Sequence, residues 1–352
     1  MTATPITEAP VCISGATGFI ASHIIKELLD RAYRVRGTVR NLSKEKDFAH
    51  LRALPGAAGR LELVEADLMR EGSFDDAVKG CTHVLHTASP FKMDAKDPQK
   101  DLVDPAVMGT RSMMASCKKA GTVRRVVLTS SMAAITDEPE NDRVLTEADW
   151  NTRSGLTRNP YYFSKAQAER AGWDFIEAEK PAFDLVVLNP FIVIGPSLSP
   201  TFSASNQLFV DLVSGVYPGI MNLTWGFVDV RDVALAHVLA MESADAKGRY
   251  ICAAETVAMR DLVELLAKNG YAGTKLPKLG MDCALGDYAV KLSSYAQPRG
   301  IGSYLRTHVG RVPRYDNGKI QRELGLRFRD TTQSILDTMA DLSRAGHIAK
   351  PA

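Results

Sequence analysis

Val11-Cys12-Ile13-Ser14-Gly15-Ala16-Thr17-Gly18-Phe19-Ile20-Ala21 is the stretch that decides the fold. Its first four residues predict a short buried strand, and Gly15 to Ala21 a tight turn running straight into a helix. Ile24, Ile25, Leu28 and Leu29 recur at helical spacing up to Asp30, and Tyr33 to Val39 has the pattern of a second strand. Gly15 lets the backbone turn, and Gly18 lets main-chain amides come close to a diphosphate at the positive end of the helix. The glycine spacing is weak on its own, with Ala21 where a third glycine commonly stands. Strand, turn, helix and strand in that order make it a dinucleotide site rather than an ordinary turn.

Moving outward, the alternation continues. Leu61 to Glu65 predicts a strand, Phe74 to Val78 a short helix, Thr82 to His86 a strand, Pro98 to Ala120 a long helix and Arg125 to Leu128 a strand. Tyr161 to Ala178 and Phe183 to Leu188 supply the next helix and strand. Apolar strands separated by helices argue for an α/β, doubly wound Rossmann-type parallel sheet covered on both faces. Past Asn189-Pro190 the regularity lapses. Gly226 to Val230 reads as a return to the sheet, followed by a helix at Arg231 to Met241 and a strand at Arg249 to Cys252. The expected division is a dinucleotide-binding domain at 1–195 and 225–255, with a smaller, mostly helical substrate domain at 196–224 and 256–352.

The totals exclude several classes. With 352 residues, 45% hydrophobic, 24% charged and a net charge of +2, the chain is an ordinary globular protein with no call for nucleic-acid or membrane partners. No apolar run approaches the roughly 20 residues needed to cross a bilayer. Met1 to Pro10 has no hydrophobic signal core, and the five cysteines show no Cys-x-x-Cys pair, so neither a zinc site nor a disulfide framework is expected. The expectation is a cytoplasmic monomer or homodimer acting on a small molecule.

The end of the second strand selects the cofactor. A carboxylate there would suit the ribose hydroxyls of NAD. Here the strand ends in Arg40, with Lys44 following, and a guanidinium grips a 2′-phosphate with two parallel hydrogen bonds. NADPH is favoured over NAD, although Arg36 and Arg40 also suit a solvated strand face. Asp67-Leu68 follows the third strand, where an acid can meet the adenine amino group or simply form a turn. Ala88-Ser89 after the fourth strand leaves room for backbone to approach the cofactor. The candidate contacts are Gly15, Thr17, Gly18, Phe19, Ile20, Arg40, Lys44, Asp67, Leu68, Ala88, Ser89 and Thr129, with Tyr161 and Lys165.

Tyr161-Tyr162-Phe163-Ser164-Lys165 carries the chemistry. Tyr161 and Lys165 share one helical face. A phenol with a pKa near 10 is a poor catalyst at neutral pH, and a neighbouring ammonium is expected to lower it. Tyr162 would point away and serve packing. Thr129-Ser130-Ser131 ends the fifth strand at the ligand edge, where a hydroxyl can hold a carbonyl oxygen.

Together these segments resemble the extended short-chain dehydrogenase/reductases over nearly the whole chain, in the branch of dihydroflavonol reductases and fungal-type NADPH aldehyde/carbonyl reductases. The resemblance rests on Gly15 to His23, Val35 to Arg40, Ala66-Asp67-Leu68, Gly72 to Asp75, Leu128 to Ser131, Tyr161 to Lys165, Asn189-Pro190 and Gly248-Arg249-Tyr250. It implies that Ser131 holds the carbonyl oxygen, that Tyr161 protonates it as hydride arrives, and that Lys165 binds the nicotinamide ribose. It also implies that Arg40 takes the 2′-phosphate and that Pro190 and Ile192 line the nicotinamide. Two departures narrow the substrate. Thr136 stands where plant flavonoid reductases carry an asparagine. Asn159-Pro160-Tyr161-Tyr162-Phe163 replaces the Asn-Trp-Tyr-Cys-Tyr type segment of cinnamoyl-CoA reductases. Both speak against those two activities.

Phe91, Phe202 and Trp225, with Phe209 and Tyr217, fall in segments expected over the nicotinamide and would make an apolar pocket for aldehydes or ketones. Arg299, Arg306, His308, Arg311 and Arg314 read as solvated surface, or as a grip for a substrate diphosphate. The latter keeps an NAD-dependent nucleotide-sugar epimerase/dehydratase as the rival reading. A non-catalytic dinucleotide-sensing protein is the third, and retention of the tyrosine–lysine pair speaks against it.

Overall fold

Strand β1 (Val11–Ser14) is buried along its whole length, flanked by β2 (Val35–Val39) and β4 (His83–His86). The computed structural model describes residues 8–89, 95–199 and 203–351. With β3 (Leu61–Glu65), β5 (Arg125–Thr129), β7 (Asp184–Pro190) and β11 (Gly248–Cys252), these strands form a seven-stranded sheet in the order β11-β7-β5-β4-β1-β2-β3. Every pair in it is parallel. The order turns back between β1 and β4, and the crevice beyond their carboxyl ends is where such sheets take ligands.

Both faces are covered, as continuous apolar strands demand. On one face α1 (Phe19–Asp30) and α8 (Val230–Glu242) pack Ile24, Ile25, Leu28, Val233 and Ala236 against the sheet. On the other, α4 (Asp75–Val78), α5 (Asp104–Ala120) and α6 (Pro160–Glu179) bring Val78, Met113, Cys117 and Trp173 onto Val84, Val126 and Val187. Between β2 and β3 lie the short helices α2 (Glu45–Arg52) and α3 (Ala57–Arg60).

After Pro190 the chain leaves this sheet, and Ile192 opens β8 (Ile192–Ile194). β8 pairs with β10 (Thr224–Asp229), which pairs antiparallel with β12 (Glu255–Ala258), in a separate three-stranded sheet. The expected return of Gly226 to Val230 to the main sheet is therefore corrected. Gly226 to Asp229 are strand and Val230 opens α8, but the partners of the strand are β8 and β12, a long-range pairing that local apolar pattern does not encode. Two further pairs, β9 (Ile220–Met221) with β13 (Gly280–Met281) and β6 (Val144–Leu145) with β14 (Arg314–Tyr315), tie distant loops together. A second apolar core grows around this unit. It joins Phe209 and Leu212 of α7 (Gln207–Ser214), Trp225 and Phe227 of β10, Leu262 of α9 (Met259–Leu266), and Ile335 and Met339. Helices α10 (Ala284–Ser293) and α11 (Arg299–His308) follow, then α12 (Gly318–Leu324) and α13 (Thr331–Arg344).

Candidate active site

The turn after β1 is shaped from beneath by Ser14, His86 and Ala88. The Ser14 hydroxyl accepts from the amides of Thr87 and Ala88, both at 3.0 Å, and so donates its proton to His86 Nδ1 at 2.8 Å. Burial pushes His86 down to about 4, so the ring is a neutral acceptor. This fixes Ala88 against Gly15, which adopts φ +67; a Cβ there would stand 3.1 Å from that of Ala88. Two backbones meet with no space for a side chain. Beyond the turn, α1 starts at Gly18 with no side-chain cap and no acid in its first turn. Among the described residues its first amides, those of Phe19 to Ala21, have no backbone partner, as a bound diphosphate requires. Thr17 is exposed beside them, while Phe19 and Ile20 lean on the core.

At the end of β2 the two arginines part company. Arg36 pairs with Glu62 at 2.7 Å and donates to the carbonyls of Ala77 and Lys79, so it is a strut. Arg40 is exposed, and among the described residues it has no hydrogen bond or ion pair. Lys44 is exposed at the start of α2. Asp67 accepts from the Met69 amide at 2.9 Å and its own amide donates to Ser73 at 2.6 Å, a built turn. Leu68 packs on α5 against Gly109. A cradle without side chains, an uncapped helix start and an unpaired guanidinium at the adenosine end fit NADP.

The reacting groups converge at the ends of β4 and β5. Ser131 caps a short 3-10 turn at Met132–Ala134, its hydroxyl accepting from the Ala133 amide at 3.1 Å. Its proton is thereby left for Tyr161, whose phenol it hydrogen-bonds. Tyr161 stands in the first turn of α6, which begins at Pro160 after Asn159 in the left-handed region at φ +46. One turn on, the Lys165 ammonium lies 5.7 Å from the centre of the Tyr161 ring and donates to Ser89 Oγ at 3.1 Å. Burial pushes Lys165 down to about 8.

The expected lowering of the phenol is corrected. Burial pushes Tyr161 up to about 12, against a smaller pull downward from Ser131. The ammonium reaches the ring and Ser89, and desolvation dominates. Tyr161 is thus a protonated phenol at neutral pH. Thr129 is also more occupied than its position suggested. Neutral His237 donates from Nδ1 to the Val233 carbonyl at 2.7 Å, so the Thr129 hydroxyl donates to Nε2 at 2.6 Å and is engaged away from the reacting groups. Pro190 is buried at the end of β7 and Ile192 half-buried at the start of β8.

Phe91 and Phe202 lie outside the described residues. Trp225 is 3% exposed in the second core, and its indole faces the Tyr304 hydroxyl. Phe209 is wholly buried, stacked on Phe227 at 6.1 Å. The aromatic group against Tyr161 is instead its neighbour Tyr162, which is packed in turn by Tyr304 and His308 of α11. Tyr162 sits edge-on to Tyr161 at 6.1 Å and reaches His308 Nε2 at 3.3 Å, and His308 stacks on Tyr304 at 4.1 Å. The reading of the basic stretch as solvated holds for Arg299 and Arg314, which are exposed, and is corrected for the rest. His308 is buried, Arg311 pairs with Glu138, and Arg306 lies over Tyr295, so the diphosphate grip loses these members. Tyr304 and His308 left one sequence signal, their four-residue spacing, which shows only that they share a helix face.

Fold and site together define a dinucleotide-dependent oxidoreductase of carbonyl and hydroxyl groups. Residues 11–253 match the model of the NAD dependent epimerase/dehydratase family, and the chain belongs to that family, in its extended short-chain dehydrogenase/reductase branch. It is 38% identical to cinnamoyl-CoA reductase 1 of Petunia hybrida, covering 97% of this chain and 94% of that protein. It is 35% identical to tetraketide alpha-pyrone reductase 1 of Arabidopsis thaliana, covering 97% and 98%. Among solved structures, the yeast methylglyoxal/isovaleraldehyde reductase Gre2 complexed with NADPH superposes with a TM-score of 0.80 at 31% identity, covering 96% of this chain and 100% of the other.

Proposed function

We propose that this protein reduces aldehydes and ketones to alcohols with NADPH, Tyr161 being the proton donor. The observation that carries the reading is the hydrogen-bonded Ser131–Tyr161 pair with Lys165 one helical turn away, at the carboxyl end of the sheet. Gly15, Thr17, Gly18, Phe19 and Ile20 hold the diphosphate, Arg40 with Lys44 the 2′-phosphate, and Asp67 and Leu68 the adenine. Ala88, Ser89, Thr129, Pro190 and Ile192 bound the nicotinamide half. When bound, the reduced nicotinamide supplies hydride to the carbonyl carbon. Ser131 donates a hydrogen bond to the carbonyl oxygen, holding it beside the phenol. Tyr161, kept protonated by its burial, passes its proton to that oxygen as negative charge develops. The Lys165 ammonium stabilises the phenolate left behind.

Tyr162 beside Tyr161, with Tyr304 and His308 packed against it, favours an apolar carbonyl compound over a sugar nucleotide. The epimerase reading loses its support with the engaged Arg306 and Arg311. We place the protein in the cytoplasm as a monomer or homodimer with no nucleic-acid partner; among the described residues no helix is long and apolar enough to cross a membrane. The test is oxidation of NADPH and of NADH across aliphatic, aromatic and β-keto-ester carbonyls. Consumption of NADPH with equimolar alcohol supports the reading. Tightly held NAD with no net turnover contradicts it.

A further inference from the structure

Beneath Ser131 lies a buried charged network that the reaction itself does not use. Glu169 is on α6, on the side of the helix that carries Tyr161 and Lys165, and its side chain is wholly buried. Its Oε1 accepts from Arg249 Nε at 2.5 Å, and Arg249 is itself 7% exposed. Its Oε2 accepts from the Ser130 hydroxyl at 2.5 Å and from the Asn189 amide at 2.8 Å. Asn189 donates its second amide proton to the main-chain carbonyl of Ser131 at 3.2 Å. Arg249 also reaches the Ala134 carbonyl at 3.5 Å and the Glu147 carbonyl at 2.9 Å, and its guanidinium lies 4.0 Å from the centre of the Trp150 ring. Both ends of the turn from Ser131 to Ala134 are therefore tied to one carboxylate, and that carboxylate rides on the helix that carries the phenol.

Stability alone is a poor reason for this arrangement. A buried ion pair returns little net stability compared with apolar residues of the same volume, because desolvation offsets the attraction. Asn189 fits packing no better. Among the described residues its Oδ1 is buried without a partner, a cost an apolar strand residue would avoid. What the network supplies is position. It joins the end of β5, the end of β7, β11 and α6 through directional bonds, and the spacing of hydroxyl and phenol depends on how those elements meet.

We propose that Glu169, acting through Asn189 and Arg249, is the positioning device that sets Ser131 against Tyr161. The proposal rests on the reductase reading above and extends it to residues that touch neither substrate nor cofactor. Asn189 is the link to cut, because its removal leaves the Glu169–Arg249 pair and its folding contribution in place. Asn189→Ala should lower kcat by about 10- to 100-fold, the cost of a misplacement of order 1 Å. The KM for the carbonyl and the dissociation constant for NADPH should stay within about twofold, and the solvent deuterium isotope effect on kcat should grow as proton transfer becomes slower. Arg249→Lys, which keeps the charge but loses the fork, should show the same split at smaller size.

Turnover is to be counted per NADPH-binding site, so that a loss of folded protein does not register as a loss of rate. Wild-type turnover per site with only a lower melting temperature in Asn189→Ala would overturn the proposal, as would equal losses in NADPH affinity and rate. The parallel control is Tyr161→Phe. If that variant is inactive while Asn189→Ala is unimpaired, the positioning role alone falls. If Tyr161→Phe retains turnover, the reductase reading falls first.

Discussion

The parallel sheet with its glycine turn, and the second core built around β8, β10 and β12, are assembled by different rules. In the first, all strands run parallel and all but β11 follow one another by helical crossovers, so each meets the crevice at its own carboxyl end. In the second, Ile194, Phe209, Trp225, Leu262 and Ile335 meet although long segments separate them. The sheet supplies the cofactor cradle and the hydroxyl, and α6, packed on it, supplies the phenol and ammonium. On the proposed reading, cofactor and chemistry belong to the first region and substrate choice to the second, and substitutions should separate them.

The largest effect expected in such a separation is on cofactor choice. Arg40→Ala removes an unpaired guanidinium from the adenosine end. It should raise the KM for NADPH by roughly 10- to 100-fold, the worth of a charge-assisted hydrogen bond, and leave the KM for NADH nearly unchanged. Parallel initial-rate measurements with the two cofactors check this, and an equal effect on both would dissolve the assignment of Arg40. Arg36→Ala, by contrast, should lower stability without altering that preference, since Arg36 is tied to Glu62 and to carbonyls at the C-terminal end of α4.

Next in size is the pH dependence of reduction. Tyr161, at about 12, remains protonated across the accessible range, whereas Lys165, at about 8, loses its charge above that pH. The protonated lysine is the form that stabilises the developing phenolate. Reduction should therefore be level through neutrality and fall on the alkaline side, approaching about tenfold per pH unit. A kcat profile at saturating NADPH checks the sign; a rise with pH would contradict it. The smallest effect is expected in the second region. Tyr304→Phe keeps the stack on His308 and removes one hydroxyl, so it should change the KM for aromatic carbonyls by a few-fold and leave NADPH affinity unaltered.

How much of this was readable from the amino acids follows the same division. The glycine turn, the helices on both sides of the sheet and the order of its strands along the chain were legible, because each is announced by local period; Tyr161 and Lys165 share a helix face by spacing, whereas Ser131 rather than Ser130 followed only from the family resemblance. The electrostatics at Tyr161 were not legible. Spacing places an ammonium beside a phenol, but it does not say how deeply both are buried, and desolvation set the direction. The apolar pattern of Gly226 to Val230 says that a strand is buried without naming its partner, which is how the main sheet and the second one are confused. His308 falls between Arg306 and Arg311 and so looks like surface, yet its neighbours in space are Tyr162 and Tyr304. Glu169 and Arg249 had left a signal. Arg249 is an arginine inside an apolar strand, which asks for a buried carboxylate, and Glu169 lies on the same side of its helix as Lys165.

The central claim is that Tyr161 delivers the proton while the sheet independently holds the cofactor. Its most direct test is Tyr161→Phe, assayed for NADPH binding by titration and for carbonyl reduction in the same preparation. The account predicts a dissociation constant within about twofold of wild type and turnover reduced by about a thousandfold, the range for loss of a general acid. Turnover within tenfold of wild type, with binding intact, would contradict it.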